Sequence, residues 1–327
     1  MTGMMMLKKF LLIALTLMML MSTACAKDLI SASDRAKLDG WGDNRPSDEL
    51  YLQFKDVFDD PLYYETLWGQ PVTTKDIIQG LREAGFDTLR VPVAWMTNAT
   101  HLGKGENDYT ISSAYLDRVE TIVGWALDEG MYVILNDHWD GGWYGMFGSD
   151  TEATRNLAME AYRGMWKQIA ERFADYDSHL IFETLNEPRL CGNKQYEWWI
   201  DTNNADCKDA MDCVNKLNAA ALDSIRKSGG NNAKRFVMMP TYAASPDAQN
   251  LAGYSIPNDD HIIAEIHAYR PYAFALANDG TQVSTFNEDK DKGELVDMFN
   301  NLKNKLQIPL FQLLETIITI KKANYIY

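Results

Sequence analysis

The sequence has few of the residues on which several common kinds of protein depend. Lys and Arg total 31 against 46 Asp and Glu, which gives a formal net charge of −15 at pH 7. Because binding to phosphate backbones relies on clustered basic side chains, this balance argues against a nucleic-acid partner. A neutral, hydrated substrate fits such a chain better.

Cysteine is also scarce, and its distribution argues against a metal site. Of the four cysteines, Cys191, Cys207 and Cys213 crowd into one segment, with no Cys-x-x-Cys pair and no ladder of histidines nearby. We therefore expect neither a metal nor a cofactor. One disulfide formed by Cys191 is compatible with the spacing.

Long hydrophobic runs are missing after the first residues. The apolar run 10–21 follows Lys8 and Lys9 and precedes the small residues 22–26. A membrane-spanning helix needs about 20 apolar residues, so we interpret residues 1–26 as an export signal and expect no membrane span. Residues 24–26 suit an ordinary signal peptidase and a secreted, extracellular protein; alternatively, Cys25 is the lipid-anchored first residue of an outer-surface lipoprotein.

The rest of the chain predicts one α/β domain. No internal repeat or low-complexity tract divides it, and its length suits a single large core in a monomer. From residue 73 onward helical stretches alternate with short apolar runs, which is typical of βα units around a parallel sheet. We predict a (β/α)₈ TIM barrel over residues 64–327, preceded by an irregular segment at 27–63.

Individual elements follow from periodicity and from capping residues. The first helix has a capping-box-like start at Thr73 and Asp76 and ends before Gly85. A first strand is expected before residue 72, and no complete eighth unit fits after residue 314. Further helices are predicted at 113–128 and 209–227, and strands at 88–93, 131–135, 180–185, 236–239, 262–266 and 309–314.

Polar side chains stand where several predicted strands end. In barrels of this class the active-site groups lie at the C-terminal ends of the strands. Four strands place polar groups there, and we expect these groups to converge. In chain order they are Arg90, Asn136, Asp137, His138, Asn186, Glu187, His267 and Tyr269.

Glu187 is the leading catalytic candidate. It follows a strand that is apolar apart from Glu183, and Pro188 comes directly after it. Glycoside cleavage needs a carboxylic acid that protonates the leaving oxygen and a second carboxylate about 5 to 5.5 Å away in a retaining enzyme. Glu187 has the position for the first role. For Arg90, a structural ion pair and a donor to a carboxylate are compatible readings.

Aromatic residues are frequent in the predicted loops. Sugar clefts tend to be lined by such rings, which stack on the apolar faces of pyranoses. Trp139 and Trp143 are our substrate-binding candidates, and ordinary packing under a loop is the alternative for each. Other aromatic residues in comparable positions are Tyr144, Trp198, Trp199 and Tyr272.

These motifs resemble glycoside hydrolase family 5, the cellulase family A, and especially its subfamily 4 of bacterial endo-β-1,4-glucanases. The resemblance covers roughly residues 64–310. It implies that Glu187 is the acid/base, that Asn186 contacts the sugar 2-hydroxyl, and that the other strand-end residues support the site, with Tyr269 beside the nucleophile. It rests on Leu89-Arg90-Val91-Pro92, Asn136-Asp137-His138, Leu185-Asn186-Glu187-Pro188-Arg189 and His267-Ala268-Tyr269.

The chain departs from the family pattern near its C-terminus. Glu315 stands about where the family has its nucleophile, but Leu314, Thr316 and Ile317 replace the usual neighbours. Trp139 also replaces the second His of a His-His pair, and Gly40-Trp41 is at best a remnant of the first-strand motif. A frameshift or truncation near residue 312 would produce the C-terminal change.

The sequence thus predicts a secreted retaining endo-β-1,4-glucanase that acts on cellulose or a related β-glucan, with Glu315 as nucleophile and Glu187 as acid/base. Xyloglucan, xylan or mannan remain alternative substrates, since loop aromatics decide specificity. A carbohydrate-binding barrel without turnover is the alternative from another class. An aldolase or a metal-dependent hydrolase is disfavoured, because no strand-end Lys and no His-x-His pair occur.

Overall fold

A computed structural model describes residues 59–66, 69–96, 110–138, 143, 146–148, 152–306 and 323–325. Within these residues six parallel strands form one sheet in the order β5-β4-β3-β2-β1-β6. Successive strands from β1 to β5 are neighbours, as repeated βα units require. The strands are β1 Thr88–Val91, β2 Tyr132–Asn136, β3 Leu180–Glu183, β4 Val237–Pro240, β5 Ile262–Glu265 and β6 Ala323–Tyr325.

Helices fill the connections between these strands. The two longest, α4 and α5, precede β3 and β4. The helices of the described residues are α1 Pro61–Glu65, α2 Lys75–Glu83, α3 Ser113–Asp128, α4 Glu152–Arg172, α5 Ala205–Lys227, α6 Ala248–Gly253, α7 Tyr272–Ala275 and α8 Glu288–Leu306.

The strands are buried and mostly apolar because helices cover a parallel sheet. All four residues of β1 and all four of β4 are buried. The main core joins these strands to the inner faces of α3, α4 and α5. Against this background, the buried Arg90, Asn136 and Glu183 stand out as polar side chains inside a hydrophobic sheet.

The predicted start of α2 is wrong by one residue. Thr74 is the N-cap, and its Oγ1 accepts a hydrogen bond from the Ile77 amide at 3.3 Å. The Thr73 amide instead donates to Glu65 at 2.5 Å. The predicted end is confirmed, since Gly85 has φ +92°, a conformation that glycine adopts without strain.

Other boundaries shift for physical reasons. Helix α3 has the predicted bounds, whereas α5 begins four residues before the predicted Asp209, because the Asn204 side chain caps it by accepting from the Cys207 amide at 3.1 Å. Strand β1 ends at Val91 rather than at residue 93. Pro92 has no amide hydrogen to continue the ladder.

Several predictions fall outside the described residues: the export signal at 1–26, the anchor at Cys25, the first strand and the strand at 309–314. Strand β6 is an addition to the prediction, and it pairs with β1 in parallel, with Thr88 opposite Ala323. Cys191, Cys207 and Cys213 are free thiols, so the predicted disulfide from Cys191 does not form with either of the other described cysteines. No helix among the described residues has the length and apolarity needed to cross a membrane.

Candidate active site

A buried ion pair between Arg90 and Glu183 lies at the C-terminal end of the sheet. Its two residues come from β1 and β3, the neighbours of β2. The Arg90 guanidinium donates from Nε to Glu183 Oε2 at 2.7 Å and from Nη2 to Glu183 Oε1. Nη2 also donates to Asn186 Oδ1 at 2.9 Å. The ion pair therefore orients Asn186, which directly precedes Glu187.

The end of β2 completes the surroundings of Glu183. Asn136 Nδ2 donates to Glu183 Oε1 at 2.9 Å and lies 3.1 Å from Nδ1 of His138. Since an amide nitrogen only donates, His138 Nδ1 accepts and the ring proton lies on Nε2. Burial and the positive charge of Arg90 lower the pKa of His138 to about 3, so this histidine is neutral.

His267 joins Glu187 to a second glutamate. Its Nδ1 lies 2.7 Å from Glu187 Oε1, and its Nε2 lies 3.0 Å from Oε1 of Glu265, the last residue of β5. Burial alone would lower the pKa of His267, but the hydrogen bonds to Glu187 and Glu265 raise it to about 9. The protonated ring donates one hydrogen bond to each carboxyl group.

The two buried glutamates are driven to opposite protonation states. Burial alone would raise the pKa of Glu183, but the charge and hydrogen bonds of Arg90 hold it below its usual value, so Glu183 is a carboxylate. Burial and the negative charge of Glu183 raise the pKa of Glu265 to about 8. Neighbouring acids whose pKa values are driven apart in this way are typical of functional sites.

Glu183, Glu265 and His267 also offer atoms that lie within 4.8 Å of one another, close enough to surround a metal ion. Both oxygens of Glu183 already accept from Arg90, and both ring nitrogens of His267 face carboxyl groups. A cation there would have to displace the guanidinium. We therefore assign no metal ligands to these residues.

A strained backbone segment after β4 forms hydrogen bonds both to the loop that carries Glu187 and to His267. Ala243 and Ala244 have φ of 54° and 48°, a left-handed conformation that costs about 1 to 3 kcal/mol without glycine. The Ala243 amide donates to the Pro188 carbonyl at 2.8 Å, and the Ala244 carbonyl accepts from the His267 amide at 2.7 Å. The segment thus sets the distance between the Glu187 loop and His267.

The loop that carries Glu187 is braced by Arg189. Arg189 Nη1 donates to the Glu187 carbonyl at 2.9 Å, and Nε pairs with Glu197 at 3.2 Å. The guanidinium carbon also lies 3.9 Å from the centroid of the Trp198 ring. Trp198 and Trp199 are 48% and 68% exposed, so both rings can meet a ligand.

The structure brings most of the predicted site residues together. Arg90, His138, Asn186, Glu187 and His267 are joined by the contacts above. Tyr269 is 41% exposed, and its ring lies edge-on to His267 with centroids 6.4 Å apart. Glu315 and Trp139 lie outside the described residues.

Trp143 does not lie where a cleft-lining ring would. Its ring is 3% exposed, packs edge to face on Tyr162 with centroids 4.4 Å apart, and donates from Nε1 to Asp137 Oδ2 at 2.9 Å. Its indole nitrogen thus has a buried partner while its carbon surface fills the core. The prediction that Trp143 lines the sugar cleft is therefore corrected to a packing role.

The sequence reasoning missed Glu183 and Glu265 as members of the site. In the sequence, Glu183 stands out only as a polar interruption of an apolar strand. A period of two places Glu265 on the same side of its strand as His267, and this was the available signal. In both cases a carboxyl group in an otherwise apolar strand indicated a buried partner elsewhere in the chain.

The fold and the site together define a class: a parallel βα protein whose strand ends present carboxyl groups supported by arginine and histidine. The chain belongs to glycosyl hydrolase family 5, since the model of that family, described as cellulase, matches residues 56–311. This family assignment confirms the predicted resemblance and the (β/α)₈ fold class.

Known proteins of the family match much of the chain. Endoglucanase A of Clostridium longisporum is 42% identical over 249 residues, or 75% of this chain and 45% of that protein. The structure of a GH5-4 broad specificity endoglucanase from the same organism superposes with a TM-score of 0.68 at 39% identity, over 77% of this chain and 68% of that one. A family 5 lichenase of Caldicellulosiruptor sp. F32, solved with cellotetraose, superposes with a TM-score of 0.67 at 40% identity, over 75% of this chain and 66% of that one.

Proposed function

We propose that the chain is a retaining endo-β-1,4-glucanase that hydrolyses internal bonds of cellulose or related β-glucans. The observation that carries this proposal is the partly exposed Glu187 carboxyl group, which is held by His267 beside the Arg90–Glu183 pair. The similarity to the clostridial endoglucanase and to a lichenase solved with cellotetraose supports a β-glucan substrate.

Glu187 has two tasks in the proposed reaction. As an acid it gives its proton to the glycosidic oxygen while a carboxylate, for which Glu315 is our candidate, attacks the anomeric carbon. As a carboxylate it then takes a proton from the water that hydrolyses the glycosyl-enzyme. Because His267 Nδ1 is 2.7 Å from Glu187, it stabilises the charge that appears on Glu187 between the two steps.

The remaining candidates bind or orient the sugar. Asn186 Oδ1 accepts from Arg90, which fixes the side chain, and its amide nitrogen is the group that would donate to a hydroxyl group of the substrate. His138 is buried and neutral, so we give it a supporting role behind the groups that contact the sugar. Tyr269 and the rings of Trp198 and Trp199 offer exposed aromatic faces. We exclude Trp143 from this set because it is buried.

Reducing-sugar release from carboxymethyl cellulose tests the proposal. The parent is compared with Glu187→Gln, Glu315→Gln and, as a matched control, Glu171→Gln, whose carboxylate is 52% exposed on α4. We expect a loss of about 10² to 10⁴-fold for Glu187→Gln, since an acid/base group contributes that much. The control should keep the parent activity.

The outcomes separate the alternatives. Activity in the parent that only Glu187→Gln destroys would show that Glu315 is not the nucleophile. A parent that binds cellulose without releasing reducing ends would overturn the glucanase proposal in favour of a carbohydrate-binding barrel. A panel with xyloglucan, lichenan, xylan and mannan identifies the preferred backbone.

We further propose that the protein is secreted as a monomer after removal of residues 1–26. The apolar run behind two lysines supports export. Mass spectrometry of the exported protein tests this proposal, because an N-terminus at Lys27 fits plain secretion while a lipid-modified Cys25 fits the anchored alternative. Light scattering of the exported protein measures its oligomeric state.

A further inference from the structure

Glu265 is a buried carboxyl group that does not touch Glu187 and yet is connected to it. It is 4% exposed, and its Oε1 lies 3.0 Å from His267 Nε2. Its Oε2 is buried and has no hydrogen-bond partner among the described residues. A buried carboxyl group with one unsatisfied oxygen is costly, so its retention calls for a functional explanation.

The imidazole ring between the two glutamates acts as a rigid spacer. Its two nitrogens point in different directions, and each faces a carboxyl oxygen at 2.7 or 3.0 Å. The His267 amide is also fixed, because it donates to the Ala244 carbonyl at 2.7 Å. A contact at Nε2 therefore determines both the orientation of the ring and the proton at Nδ1.

Other charged and titratable groups surround this pair. The charge of Glu183 on β3 acts on both Glu265 and His267, the charge of Arg90 on β1 acts on Glu265, and the charge of His267 lowers the pKa of His138 after β2. The Tyr254 hydroxyl donates to the Met239 carbonyl at 2.7 Å, and burial together with the charge of Glu265 raises the pKa of Tyr254. The direct hydrogen bonds to the ring nitrogens of His267 come from Glu187 and Glu265.

We propose that Glu265 is a positioning residue for the reaction. It holds the His267 ring by Nε2 and so keeps on Nδ1 the proton that makes the hydrogen bond to Glu187. This inference rests on the proposed role of Glu187 as acid/base. Glu265 itself neither gives a proton to the substrate nor takes one from it. It acts on the orientation and charge of the group that supports Glu187.

The kinetic test varies the leaving group. An aryl β-cellobioside with a poor leaving group needs protonation by Glu187, whereas a dinitrophenyl β-cellobioside does not. For Glu265→Leu we expect kcat/KM to fall about tenfold on the first substrate, a part of the full acid/base contribution, with little change on the second. Glu265→Gln keeps an acceptor for Nε2 and should restore part of the loss.

Glu171→Gln on the surface of α4 should match the parent on both substrates. Equal losses on both substrates would mean that Glu265 serves only the fold, and no loss on either would mean that it does not act on Glu187. Each of these results overturns the proposal.

A second measurement does not depend on activity. With only five histidines in the chain, nitrogen-detected NMR of imidazole-labelled protein can follow His267, assigned by its loss in His267→Asn. In Glu265→Gln and Glu265→Leu we expect the pKa of His267 to fall from about 9. An unchanged titration would overturn the contact itself, and a parent without activity would overturn the glucanase proposal separately.

Discussion

At the scale of single residues, the ion pair of Arg90 and Glu183 is the most demanding feature of the molecule. Moving two charges out of water costs several kcal/mol for each ion, and the pair is stable only if its hydrogen bonds are complete. Here the guanidinium makes a bidentate hydrogen bond with the carboxylate, and Asn136 donates to the same carboxylate at 2.9 Å. The pair is therefore sensitive to the loss of either partner.

Replacing Arg90 by methionine should leave the buried Glu183 carboxylate without its positively charged partner. We expect Arg90→Met to lower the free energy of unfolding by about 3 to 5 kcal/mol, measured by urea denaturation. The double variant Arg90→Met, Glu183→Leu should recover part of this loss. The exposed pair of Arg82 and Asp87 is the control, because Arg82→Met should cost no more than about 1 kcal/mol. A small change in the free energy of unfolding for Arg90→Met would contradict a buried ion pair between Arg90 and Glu183.

Trp199 offers a different test at the same scale, because its ring is 68% exposed. Trp199→Ala should leave the free energy of unfolding within about 0.5 kcal/mol of the parent. If the ring stacks on the glucan, KM for the polymer should rise roughly fivefold, or about 1 kcal/mol. KM for a short aryl cellobioside should stay constant, and an unchanged KM on the polymer would remove Trp199 from the site.

At the scale of elements, one buried arginine organises the N-terminal ends of β3 and β4. Arg235 is 2% exposed and donates from Nη1 and Nη2 to four backbone carbonyls at 2.7 to 2.9 Å. Its Nε donates to Asn232 Oδ1 at 2.7 Å. Burial lowers the pKa of Arg235 to about 10, so the side chain remains charged. The four acceptors are Phe173, Tyr176, Asp177 and Leu180.

Lysine should not replace this arginine. A single ammonium group cannot reach four carbonyls that a planar guanidinium contacts at once. We expect Arg235→Lys to lower the free energy of unfolding by about 3 kcal/mol or more, followed by thermal unfolding. Arg163→Lys on the surface, whose pair with Asp223 is exposed, should change it by less than about 1 kcal/mol.

Measuring the activity of Arg235→Lys shows whether the N-terminal end of the sheet influences the candidate site at the other end. Because Arg235 precedes β4 while the candidate site follows the strands, specific activity of Arg235→Lys well below its melting temperature should equal that of the parent. A loss of activity in a fully folded variant would show that the two ends are coupled.

At the scale of the whole molecule, the buried histidine His138 makes stability depend on pH. Its pKa is about 3 in the folded protein and near 6.5 when unfolded. Below pH 6.5 the unfolded chain therefore binds a proton that the folded protein does not, and the free energy of unfolding falls as the pH is lowered. The slope for one proton is at most about 1.4 kcal/mol per pH unit. Glu183, with its lowered pKa, adds to this loss below about pH 4.5.

His138→Gln should remove the first part of this acid sensitivity. Urea midpoints of parent and variant at pH 6.5, 5.5 and 4.5 give the difference in slope. The raised pKa values of Glu265 and His267 work in the opposite sense, since they favour the folded protein at lower pH. They act in both proteins, so the comparison isolates His138. Parallel curves would contradict a neutral, buried His138.

Local rules predicted much of the fold and part of the site. Helix α3 begins and ends at the predicted residues because its periodicity and its end signals are local. Arg90, His138, Asn186, Glu187 and His267 were predicted to meet because parallel strands bring their C-terminal ends to one edge. The strand-end prediction needed no knowledge of which residues pair.

The sequence by itself determined which strand ends carry polar groups, since strand periodicity and the parallel arrangement of βα units are properties of short segments. Only the tertiary structure decided their partners. Glu183 meets an arginine 93 residues away, and Glu187 meets a histidine 80 residues away. Trp143 turned inward because a buried acceptor, Asp137, and the ring of Tyr162 were available. Burial and charge pairing depend on groups that are distant in the chain, so no local pattern contains them.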